Sequence, residues 1–129
     1  MHALHKEDVP FLGSSYHFVG EDHCDVAVSI YLVEASAGHG APLHTHEYDE
    51  ILIMQQGLVR LVVDDEIREA APGDIVVVKA RTPHGFVIGD GLSKQIDIHA
   101  SPRFEQQNLQ PTATSLRAML PSKPPSPAR

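Results

Sequence analysis

The chain has a single cysteine, Cys24, among its 129 residues, so no disulfide can form within it, and the lone thiol reads as a structural bystander rather than a reactive group. Long apolar runs are also missing. Stretches such as 51–54 and 75–78 are four residues long, against the roughly 20 that a membrane-spanning helix needs, and no membrane partner is expected. No segment clusters lysine and arginine. With 10 basic against 17 acidic residues and a formal charge of −7, the chain carries no footprint for a phosphate backbone, and nucleic acid is not expected as a partner. The N-terminus places Lys6, Glu7 and Asp8 where a secretory signal would need its apolar core, so a cytoplasmic location is expected. The length suffices for one domain built around one core.

What the chain does have is histidine, nine in all. Two of them fall in a spaced pattern: Gly38, five residues, His44, Thr45, His46, three residues, Glu50, six residues, Gly57. With glycine at roughly 7% of residues and histidine and glutamate at similar shares, five matches from one fixed start have a chance on the order of 10⁻⁶. On a strand, alternate side chains share a face, so His44, His46 and, if the strand is not bulged, Glu50 point the same way. Two imidazoles and a carboxylate suit a divalent transition ion such as Mn, Fe, Ni or Zn. The other histidines read differently. His2, His5 and His39 suit exposed positions, and His17 and His23 precede a strand without forming a pattern.

Around this segment the chain reads as short strands parted by turn signals. Strands are expected over 25–34, buried on both faces, and over 49–56, 58–63, 67–70, 75–78, 85–88 and 93–99, with Gly57, the Asp64 and Asp65 pair, and Pro72, Gly73 and Asp74 at turns. No helical period runs through the body, which points to an antiparallel all-β sandwich or barrel. Residues 1–13 form an irregular arm, loose or docked. Residues 103–109 are expected as a short helix and 116–120 as another turn. One domain over 1–110, with its core at about 26–100, is followed by a Pro/Ser-rich flexible tail over 111–129 that carries no function.

A second pattern is Gly73, ten intervening residues, then His84. A histidine opening a later strand can face the first cluster across a rolled sheet, which makes His84 the proposed fourth ligand, its approach stiffened by Pro83. The two segments resemble the paired motifs of the cupin superfamily, small antiparallel jelly-roll barrels. The first motif is met at every specified position. In the second, Gly73 and His84 match, while Lys79, Arg81 and Ile88 stand where the family has proline, glycine and asparagine. The resemblance covers about residues 26–100. It implies one ion on His44, His46, Glu50 and His84, with two coordination positions open to water or substrate.

Strand parity puts Tyr48, Leu52, Met54 and Gln56 on the metal-facing side, with Phe86 and Ile88 following His84, a mostly apolar lining suited to a small, partly apolar molecule with oxygen donors. Tyr48 could donate a proton or pack at the rim. In the strand over 93–99 the default reading turns Ile96 and Ile98 inward; with the opposite facing, Gln95, Asp97 and His99 point in and His99 becomes a candidate acid or base. Tyr31 and Ser29 can reach the cavity, and Arg81 reads as solvated. The first functional reading is a metal-dependent enzyme, either O₂-dependent or a redox-neutral isomerase, cyclase or lyase. The alternative is a non-catalytic binding or sensing module, and a purely structural barrel ranks last. Open sheet edges lead to the expectation of a homodimer.

Overall fold

The computed structural model describes residues 1–120. The strands are β1 (Phe11–Leu12), β2 (Ser15–Phe18), β3 (Ser29–Ser36), β4 (Gly40–Thr45), β5 (Glu50–Gln56), β6 (Val59–Val63), β7 (Glu66–Ala70), β8 (Ile75–Val78), β9 (His84–Ile88), β10 (Leu92–His99) and β11 (Gln107–Asn108), followed by one helix, α1 (Ala113–Ala118). They form two antiparallel sheets, ordered β1-β2-β3-β10-β5-β8 and β11-β4-β9-β6-β7. The sheets face each other across one apolar core that includes Val33, Leu52, Met54, Val59, Leu61 and Ile88. Each such side chain, buried from water, stabilises the fold by about 1.5–3 kcal/mol before the entropy of ordering it is counted. The all-β jelly-roll expectation therefore holds.

Turn chemistry explains why the strands stop where they do. Gly57, Gly73 and Asp64 close the connections around β6 and β8 with positive φ of 78°, 94° and 52°. The strand expected over 25–34 starts later, because Cys24 and Asp25 also adopt positive φ and turn the chain first. β3 is not buried on both faces either; its residues alternate inside and outside from Ser29 onward. The N-terminal arm takes the docked one of its two expected states. Lys6 pairs with Glu34 at 2.8 Å, and β1 and β2 form a hairpin whose second strand joins β3.

The C-terminal third departs furthest from expectation. Residues 103–109 form no helix; β11 pairs with β4 there, Asn108 opposite His44. The helix comes later, over part of the segment assigned to a tail. Thr112 caps it by accepting from the Ser115 backbone N–H, and Ser115 returns the bond to the Thr112 N–H, a reciprocal cap that satisfies two otherwise free donors. On the outer side of the second sheet, Ala118 packs with Leu43 and Val62, and Met119 and Leu109 flank them. The rest of the expected tail, 121–129, lies outside the described residues.

The sheet carrying β4 and β9 is closely fitted at Gly40, where a Cβ would stand 2.0 Å from the Phe86 carbonyl oxygen. Gly40→Ala is expected to lower stability by about 1–3 kcal/mol, since main chain has to move to admit the methyl; urea denaturation measures the loss.

Candidate metal centre

Both sheets contribute to one cluster at the barrel's end. His44 on β4 sits directly opposite His84 on β9, and His46 follows one step beyond β4. Glu50 opens β5 in the other sheet, opposite His99 at the end of β10. All five side chains are buried. Ligating atoms of His44, His46, Glu50 and His84 lie within 4.8 Å of one another, so the three histidines and the carboxylate named from the sequence do meet.

The backs of the rings decide the chemistry at the front. Nδ1 of His44 faces the Pro42 carbonyl at 2.5 Å, Nδ1 of His84 faces the Thr82 carbonyl at 2.8 Å, and Nδ1 of His46 faces the Glu105 carbonyl. A carbonyl can only accept, so each Nδ1 carries a proton, and a ring protonated there alone turns an Nε2 lone pair toward the cluster. Nε2 of His44 and Nε2 of His46 are then 3.1 Å apart with no proton between them. Two facing lone pairs beside a carboxylate repel and are reconciled by a cation, which is the arrangement that fits a metal ion.

Burial favours the neutral ring at His44 and at His99. Burial, with the neighbouring His84 adding to it, pushes His44 down to about 4, and burial pushes His99 down to about 4 as well. Burial works against the charge on Glu50, and Nε2 of His46 at 3.2 Å and of His84 at 3.1 Å face the carboxylate with lone pairs, so a cation held among them is what would keep it charged. Burial raises Asp97 well above the usual carboxylate value, with Glu50 adding to the rise.

Several expected positions need correction. β10 turns Gln95, Asp97 and His99 inward and leaves Ile96 and Ile98 on the outer face, the reverse of the default. The reason is that this outer face is itself apolar: Ile98 lies between Ile30 and Ile51, and Ile96 between Leu32 and Ile53. Leu52 and Met54 point inward as parity requires but belong to the core, while Gln56 is exposed; none of the three lines the cavity, and Phe86 does. The cavity, about 220 Å³, is more polar than expected, with Ser15, His17, Asp97 and His99 among its lining. Tyr31 reaches it, whereas Ser29 instead holds the Gly20 N–H and the Ser101 carbonyl. Tyr48 stacks on the His46 ring with centroids 4.9 Å apart. Its hydroxyl, pushed up to about 12 chiefly by burial, donates to the Glu105 carbonyl at 3.1 Å and accepts from the Glu105 N–H at 3.3 Å. Arg81 is exposed and 3.6 Å from Glu47; its φ of 64° explains why a related chain would carry glycine there.

Sequence reasoning passed over His17 and Phe104. His17 stacks on Tyr31 at 3.7 Å and meets Ser15 Oγ at 2.7 Å. Phe104 packs against Tyr31, His46 and His99. The alternation of Ser15 and His17 was the available signal for the first; a residue in an irregular strap gives none.

His99 provides a test. Between pH 4 and 6.5 an unfolded chain takes up protons that buried His44 and His99 refuse, so the unfolded state binds more protons and stability rises with pH across that window. Asp97 adds a slope of the opposite sign above its ordinary 3.8. Metal-free protein is expected to lose thermal stability on acidification from about pH 6.5 to 4, and His99→Leu to lose less, the difference reaching on the order of 3 kcal/mol. Melting curves across this range of pH measure it.

No helix among the described residues is long and apolar enough to cross a membrane. No curated protein matches the chain. Residues 31–93 match the family described as Cupin domain. The solved structure of KdgF from Halomonas sp. is 32% identical, with 60% of this chain and 72% of that one covered and a TM-score of 0.56. A cupin-like protein from Thermotoga maritima is 19% identical over 84% of this chain and 85% of its own, with a TM-score of 0.69. A mutant form of oxalate decarboxylase from Bacillus subtilis is 19% identical over 81% of this chain and 31% of its own, with a TM-score of 0.68. The segment matched by the family holds all four converging side chains, and the chain belongs to the cupin superfamily.

Proposed function

We propose that the protein is a metal-dependent enzyme acting on a small oxygenated organic molecule, with one divalent transition ion (Mn, Fe, Ni or Zn) held by His44, His46, Glu50 and His84. One observation carries the reading: three imidazoles each bonded through Nδ1 to a main-chain carbonyl, so that unprotonated nitrogens and a carboxylate meet in a buried cluster beside a cavity. When bound, such an ion supplies Lewis-acid polarisation of a substrate oxygen or, where it is redox-active, electron transfer. A closed structural zinc site usually recruits cysteine, and the one cysteine here, Cys24, is exposed.

The chain's own groups supply the rest. His99 has no hydrogen-bond partner at either ring nitrogen and its Nδ1 stands 3.9 Å from Glu50; as a neutral imidazole it is placed to accept or return a proton on a molecule in the cavity. Phe104 and Tyr31 close around it and limit water. Tyr48 acts as a positioning residue: it fixes the Glu105 peptide whose carbonyl orients His46. Likeness to an oxalate decarboxylase speaks for the barrel alone, since a fold hosts many reactions and does not choose one. The homodimer belongs to this reading too. Ile30, Leu32, Ile51, Ile53, Ile96 and Ile98 form an outer face only partly buried, and Ile75 and Val77 at its edge are 66% and 58% exposed, a patch that a second copy would cover.

Protein purified at neutral pH is expected to take up one equivalent of divalent metal, and His46→Ala to lose most of that uptake; elemental analysis that finds no metal in either protein would end the proposal. Tyr48→Phe is expected to weaken metal affinity by about ten-fold, as loss of an outer hydrogen bond typically does, while Tyr48→Leu, which also removes the ring stacked on His46, weakens it further. Oxygen consumption separates the oxidative from the redox-neutral branch.

A further inference from the structure

The wall of the cavity has a property that the proposed chemistry does not use: it carries no lysine or arginine among the described residues. Basic groups nearby are outside and already paired. Arg103, 69% exposed, stands 3.7 Å from Glu21; Arg81 faces Glu47, and Lys6 faces Glu34. Away from the four-residue cluster the wall is polar yet holds no fixed positive charge: the Ser15 hydroxyl is paired with His17 Nε2, and His99 has both nitrogens unpartnered. Asp97, bonded by Gln95 Nε2 at 2.8 Å, offers no positive charge in either protonation state.

These facts set what the far end of a ligand can be. A carboxylate or phosphate placed there would leave its hydration shell and meet no lysine or arginine, a loss that a buried pocket does not return. A hydroxyl or carbonyl needs only hydrogen bonds, and His99 has both ring nitrogens unpartnered. The space, about 220 Å³, holds roughly seven water volumes at about 30 Å³ each, enough for a small molecule and little besides.

We propose that the cavity selects a neutral or singly charged oxygen chelator, such as a hydroxy acid, whose far end is an uncharged hydroxyl or carbonyl reaching Ser15, His17 or His99, and that it rejects a second negative charge. The inference rests on the metal-dependent reading above. It gives specificity to the wall, through charge that is missing, rather than to the ion.

The experiment uses the intact chain loaded with Zn²⁺ and three four-carbon probes with one common hydroxy-acid head: 2,4-dihydroxybutyrate, 2-hydroxybutyrate and malate. Isothermal titration is expected to rank them in that order, with malate weaker than the dihydroxy acid by about ten-fold or more. Malate binding as tightly as 2,4-dihydroxybutyrate overturns the proposal. Leu12 lines the mouth and is 60% exposed, so Leu12→Arg adds a cation without disturbing the core. It is expected to improve malate binding several-fold and to leave 2-hydroxybutyrate nearly unchanged; no gain for malate also overturns it. Failure to take up Zn²⁺ at all removes the metal-dependent reading and this one together, whereas uptake with the wrong probe order removes only this one.

Discussion

Three ring protons committed to main-chain carbonyls are the constraint on which the site depends. Because Pro42, Thr82 and Glu105 each accept from an Nδ1, the opposite nitrogens have to face one another without hydrogen between them, close to a carboxylate. Such an arrangement costs electrostatic energy in an empty pocket, and only a surrounding fold that holds the backbone in place can maintain it. Two carbonyls come from residues two positions before their own histidine. The third comes from a strap far along the chain, and that difference makes His46 the most conditional of the three rings.

The two sheets divide the labour. One brings His44 and His84 face to face across a single register position; the other brings Glu50 beside His99. Beneath them, Leu52, Met54, Val59 and Leu61 fill the interior and fix the distance between sheets, so the cluster inherits its dimensions from apolar packing. Outside, α1 covers Leu43 and Val62, which explains how β4 can bury Leu43 and His44 in succession: one faces the helix and the other the cavity.

The ligand cluster was legible in the sequence because its signal is local chemistry at fixed spacing, and the spacing of His44, His46 and Glu50 survives any small error in strand boundaries. His84 was legible through its resemblance to a known motif. The facing of β10 was not, because the rule that apolar side chains turn inward assumes a solvated outer face. Here Ile96 and Ile98 join an outer row of isoleucine and leucine, so both sides of the strand compete for the name of core. Phe104 and the Glu105 carbonyl were invisible for another reason: a main-chain atom in an irregular segment leaves no mark in residue identity, and 103–109 carried no turn or strand signature strong enough to displace a helix.

The strap has one more consequence. On the ribosome, His44, His46, Glu50 and His84 all emerge before Glu105 does, yet the peptide that orients His46 and anchors the Tyr48 hydroxyl lies beyond them. A growing chain can therefore pair β4 with β9 and β5 with β10 before the carbonyl that fixes the His46 ring is in place. The last ring to be oriented thus waits for a segment that adds no side chain to the cluster.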